Sequence, residues 1–99
     1  MTIKQKKENG KLVVFIEGRV DTTSSPVLSE YLQKELNGVK ELELDFSDVE
    51  YISSAGLRVL LFAQKTMNSC QGKMVVSHAN EEIMEIFELT CFNEIITII

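Results

Sequence analysis

Tyr51-Ile52-Ser53-Ser54-Ala55-Gly56-Leu57-Arg58 is where this chain changes its period. Upstream, Leu42 and Leu44 alternate with Glu41, Glu43 and Asp45, the two-residue repeat of a strand with one wet face. Downstream, Val59-Leu60-Leu61-Phe62-Ala63 opens a helix too apolar to lie bare on a surface. Ser53 and Ser54 occupy the junction. A serine hydroxyl there meets the unpaired N–H groups of the first turn and the positive end of the helix dipole. The same place stabilises an added phosphate. A serine at this junction is then either a plain cap or also a switch.

Working outward, Asn9-Gly10 separates two strand-like runs, residues 2–7 and 11–17, and signals a type I′ hairpin. Leu12-Val13-Val14-Phe15-Ile16 is nearly all apolar, which suits a strand inside a sheet rather than at its edge. Gly18 to Pro26 breaks the pattern, with Ser24 or Ser25 as an N-cap and Pro26 in the first turn of a helix that Asn37-Gly38 ends. Phe46 to Ile52 reads as a linking loop whose Phe46, Val49 and Ile52 tuck inward. The second helix runs from Ser54 to about Asn68, followed by a short buried strand at Met74-Val75-Val76. Asn80 caps a third helix with Glu81 and Glu82 at its positive end, and Ile95 to Ile99 forms a last strand. The order β-β-α-β-α-β-α-β predicts an α/β fold in one domain, residues 1–99, with a mixed, mostly parallel sheet and right-handed crossovers.

Composition narrows the function. A net charge of -5 argues against a nucleic-acid surface, and the cluster Lys4, Lys6, Lys7 and Lys11 reads as a solvated hairpin face. No apolar run approaches the roughly 18 residues of a membrane span, and the N-terminus lacks the apolar core of a signal peptide, so a cytoplasmic protein without membrane insertion is expected. Cys70 and Cys91 form neither a CxxC pair nor a metal spacing, and Cys91, between Leu89 and Phe92 in the chain's apolar pattern, is expected to pack as a small hydrophobe. No phosphate-binding glycine loop occurs. A serine nucleophile needs a base, yet His78 is the only histidine and reads as a polar loop residue. Asp45, Asp48 and Glu50 read as solvated loop acids. No enzyme, cofactor or metal is expected.

At about 100° per residue, Gly56, Val59, Leu60, Ala63 and Met67 gather on the side of the second helix assigned to the sheet. Ser54, Arg58 and Lys65 fall opposite, flanked by Leu57, Leu61 and Phe62. This narrow polar stripe between large apolar groups reads either as a helix partly covered by neighbouring helices or as a protein-binding patch. Ser54 and Arg58 lie one turn apart, so a phosphate on Ser54 can meet both the N-terminal amides and the guanidinium.

Asp45-Phe46-Ser47-Asp48-Val49-Glu50-Tyr51-Ile52-Ser53-Ser54-Ala55-Gly56-Leu57 resembles the signature of STAS domains, the anti-sigma-factor antagonists. Glu17-Gly18-Arg19-Val20-Asp21 is similar to that family's segment at the end of its second strand. The resemblance implies helices packed on one face of the sheet. It implies an anti-sigma-factor antagonist that binds a serine-kinase-type anti-sigma factor, is switched off by phosphorylation at Ser54, and is restored by a serine phosphatase. Ser53 stands where many members carry Asp. The partner face then comprises Asp21, Thr22, Thr23, Ser53, Gly56, Leu57, Arg58 and Leu61. The alternative is a constitutive STAS subunit of a lipid-transport ABC system or other signalling assembly.

Overall fold

Asn9 and Gly10 both take positive φ, 46° and 82°, as a type I′ turn requires. They fold β1 (Thr2–Glu8) back on β2 (Lys11–Val20). The computed structural model describes residues 1–99 and continues with α1 (Ser25–Glu35), β3 (Glu41–Ile52), α2 (Ser54–Ser69), β4 (Lys73–Ser77), α3 (Glu81–Leu89), a short 3-10 turn and β5 (Thr97–Ile98). The strands stand in the order β1-β2-β3-β4-β5, antiparallel in the first pair and parallel thereafter. This is the mixed, mostly parallel α/β sheet that the element order predicts.

Register explains which face carries the core. Leu12, Leu42 and Met74 line up across three strands, as do Val14, Leu44 and Val76, and all six are buried. Leu28 and Leu32 of α1, Leu60, Ala63 and Met67 of α2, and Ile83 and Phe87 of α3 complete the same apolar cluster. Phe46 meets Phe87 with ring centroids 6.3 Å apart, which anchors α3. The other face of the sheet carries Val13 and Phe15, Glu43 and Asp45, Val75 and Ser77, and Phe15 there is 42% exposed.

Three expectations are corrected. Phe46 to Ile52 is not a loop but the second half of β3, paired with Glu17–Val20. Between Phe15 and Glu17, and again between Gly18 and Arg19, β3 spends one more residue than β2. Such bulges break the two-residue alternation, so Phe46, Val49 and Ile52 all point inward at a spacing that imitates a loop. Asp45 is not a solvated acid: it is 9% exposed. Its carboxylate accepts from the amide of Ser47 at 2.9 Å and from the Ser47 hydroxyl. Cys91 is exposed, because a left-handed backbone at φ 61° ends α3 there and turns its side chain out of the apolar stripe.

The start of α2 is fixed by an unusually close approach. A Cβ on Gly56 would lie 2.7 Å from Ile52 Cγ1, 2.8 Å from the Val20 carbonyl oxygen and 2.9 Å from Val20 Cγ1. The backbone oxygen cannot swing aside as a side-chain tip can. Gly56→Ala gains up to about 1 kcal/mol of helix propensity, yet it is expected to destabilise the fold by about 1–3 kcal/mol through overpacking. Urea unfolding of the variant checks this: a midpoint equal to or above that of the parent would mean that the corner has room to relax.

Candidate functional site

Two segments distant in sequence meet at the carboxyl ends of β2 and β3. Val20 pairs with Ile52, and the Ser53 N–H donates to the Val20 carbonyl at 2.9 Å. The loop leaving β2 and the helix leaving β3 therefore begin at one corner of the molecule.

Asp21 folds that loop. Its Oδ1 accepts from the backbone N–H groups of Thr23 and Ser24, each at 3.1 Å. The Ser24 hydroxyl donates to the Arg19 carbonyl at 2.6 Å and accepts from the Asp21 N–H at 2.9 Å. Ser24 thus precedes α1 but spends its hydroxyl on the loop and makes no side-chain cap. Thr22 and Thr23 project into solvent. The amide of Ser24 holds the Asp21 carboxyl below its ordinary value; partial desolvation opposes this, and the Ser24 hydroxyl, the Thr23 amide and the Arg19 charge add to the lowering.

The two serines at the head of α2 have different positions. Ser53 is the N-cap, with extended backbone, and its hydroxyl accepts from the Gly56 N–H at a long 3.5 Å. Ser54 is the first helical residue and is exposed. Arg58 is exposed one turn further on, Leu61 is half-buried, and Phe62 is 37% exposed.

Of the residues expected on the partner face, Asp21, Thr22, Thr23, Ser53, Ser54, Arg58 and Leu61 are at least partly accessible around this corner or along α2. Gly56 and Leu57 are not. Gly56 lies against β2, and Leu57 is 7% exposed within the core, so both position the surface without forming it. Arg19 belongs to the corner although the sequence pattern did not single it out. Its guanidinium carbon sits 4.5 Å from the centroid of the Tyr51 ring, and its Nε is 3.6 Å from Asp21 Oδ2. The signal was hidden because Tyr51 becomes the cross-strand partner of Arg19 only when residues 46–52 are a strand.

A family model for the STAS domain matches residues 2–99. BtrV of Bordetella bronchiseptica is 31% identical over 93 residues, covering 93% of this chain and 80% of the relative. The anti-sigma-B factor antagonist of Bacillus subtilis is 29% identical over 93 residues, covering 94% and 85%. Among solved structures, the Bacillus cell fate determinant SpoIIAA in its phosphorylated form superposes with a TM-score of 0.77 over 99% of this chain and 91% of that one, at 10% identity. No helix is long and apolar enough to cross a membrane.

Two outcomes follow from the geometry. Ser53→Ala should cost about 0.5–1 kcal/mol, the low end for an N-cap, whereas Ser54→Ala should stay within about 0.5 kcal/mol of the parent in urea unfolding. Asp21 has a lowered folded pKa, so its contribution to stability is fully present above the unfolded value of 3.8 and is lost as pH falls through the folded value. The stability difference between the parent and Asp21→Asn should therefore be constant near neutrality and shrink below that value. A pH-independent difference would contradict the assignment.

Proposed function

This chain belongs to the STAS-domain family, and from that premise we propose that it is an anti-sigma-factor antagonist whose binding is switched off by phosphorylation of Ser54. The observation that carries the reading is the division between the two serines. Ser53 is spent on the cap, while Ser54 presents its hydroxyl outward from the first helical position. An acceptor so placed can be modified without opening the core.

The partner is a serine-kinase-type anti-sigma factor, which transfers the γ-phosphoryl of its own bound ATP to Ser54 Oγ; the hydroxyl proton leaves and ADP is released. A serine phosphatase hydrolyses the ester and restores the hydroxyl. This chain contributes the surface and the acceptor, and performs no catalysis itself. The surface comprises the Asp21–Thr23 loop and the outer stripe of α2 through Ser54, Arg58 and Leu61. Relatives named as anti-sigma-B factor antagonists support the role, and a protein of the same fold with a phosphorylated form supports the switch.

Phosphorylation adds about -1.5 to -2 charges at the centre of that surface. The first-turn amides and the dipole favour the anion in the free protein. A partner shaped for a neutral hydroxyl must desolvate or repel the same charge, which makes the free state the preferred one. The fold is retained while affinity falls.

Ser54→Asp is expected to weaken binding of the anti-sigma factor by tenfold or more, at least about 1.4 kcal/mol, by calorimetry on the purified pair. Ser54→Ala should bind as the parent does and carry no phosphate. Mass spectrometry of the protein after incubation with that kinase and ATP should place the phosphate on Ser54. Phosphate on Ser53, Thr22 or Thr23 instead, or undiminished binding by Ser54→Asp, would refute the switch.

A further inference from the structure

On the helix-free face of the sheet, Glu43, Asp45 and His78 bring one ligand atom each to within 4.8 Å of one another. We propose that these three side chains bind a divalent transition-metal cation of borderline hardness, with Zn²⁺ the best match. The site is independent of the Ser54 switch.

Each ligand is held by a different part of the fold. Glu43 and Asp45 project from the same side of β3, and β4 lies in register beside it, with Asp45 opposite Ser77. Asp45 Oδ1 is occupied by the Ser47 amide and hydroxyl, which leaves Oδ2 facing His78 Nδ1 at 3.3 Å. Glu43 Oε2 accepts from the Ser77 hydroxyl at 2.7 Å. His78 follows β4 in a left-handed conformation, φ 60°, at the point where the chain leaves the sheet. Serine hydroxyls thus orient both carboxylates, as outer partners do in metal sites.

The donor set selects the cation. An imidazole nitrogen with two carboxylates favours Zn²⁺ and its neighbours over Mg²⁺ and Ca²⁺, which prefer oxygen alone. Two ligands each about 2.0–2.1 Å from a tetrahedral zinc lie about 3.3 Å apart, the spacing already present between Asp45 and His78. That spacing also serves a simple charge-assisted hydrogen bond; Glu43, a second carboxylate on the same face, gives the pair a third ligand. Three protein ligands leave a fourth position for water or for a group on a partner. Lys11 Nζ, 3.9 Å from Glu43 Oε1, is the cation that the metal would displace.

His78 is the only histidine, so its imidazole can be observed alone. In a zinc titration of the ¹⁵N-labelled full chain in a non-chelating buffer, the imidazole nitrogen signals should shift and saturate near equimolar Zn²⁺, and should not respond to the same concentration of Mg²⁺. Calorimetry should show about tenfold or greater loss of zinc affinity in His78→Asn, a residue that tolerates the left-handed backbone, and in Glu43→Gln. Cys91→Ser should retain full affinity. Imidazole signals unmoved at equimolar Zn²⁺, parental affinity in His78→Asn, or loss of binding in Cys91→Ser would overturn the proposal.

Discussion

The contact on which the candidate site depends is the approach of α2 to the last residue of β2. The Val20 carbonyl accepts from the Ser53 N–H, and Gly56 passes over the same carbonyl without a Cβ. A side chain at position 56 would push the helix away from the sheet and separate the Asp21 loop from the head of α2. The glycine is thus required for its lack of bulk and not for a special backbone angle. Leu57 and Leu60 then enter the core, which fixes the rotation of the helix and hence the outward direction of Ser54 and Arg58.

That rotation separates two roles that sequence leaves merged. Adjacent serines at a helix start are interchangeable in composition and nearly so in propensity. Their backbone positions differ: Ser53 is extended and its hydroxyl accepts from the Gly56 amide, whereas Ser54 is already helical and exposed. The cap therefore uses one hydroxyl and leaves the other exposed. The Ser53 cap engages the Gly56 amide and the Ser53 carbonyl takes that of Leu57, which leaves the amides of Ser54 and Ala55 to face an anion. On the opposite side of the corner, Asp21 spends its carboxylate on the amides of its own loop, so its charge shapes the surface more than it projects from it.

Much of this was legible in sequence. The hairpin, three helices, their order and the inward set Phe46, Val49 and Ile52 follow from turn chemistry, caps and period, and the Asn80 cap is realised with its side chain accepting from Ile83 at 2.9 Å. The illegible parts share a physical cause, since each depends on what lies beside a residue in space. The bulges of β3 are set by its pairing with β2, so the strand looked like a loop and the Arg19–Tyr51 contact was invisible. Leu57 looked like part of an exposed border because projection on a helix gives angle but not the depth of the neighbouring layer; its burial comes from the packed core. Asp45 looked solvated because the residues that cover it, Ser47 and His78, lie on a bent strand and on a different loop.

The central claim is that a phosphate on Ser54 alters the surface of this corner and leaves the fold unchanged. Comparing amide NMR spectra of the chain before and after stoichiometric phosphorylation of Ser54 tests it most directly. The account predicts shifts concentrated at residues 19–24 and 51–61, with the signals of β1, β4 and α3 unmoved and a melting temperature equal to or above that of the unmodified protein. Shifts spread through the sheet and α3, or a lowered melting temperature, would contradict it.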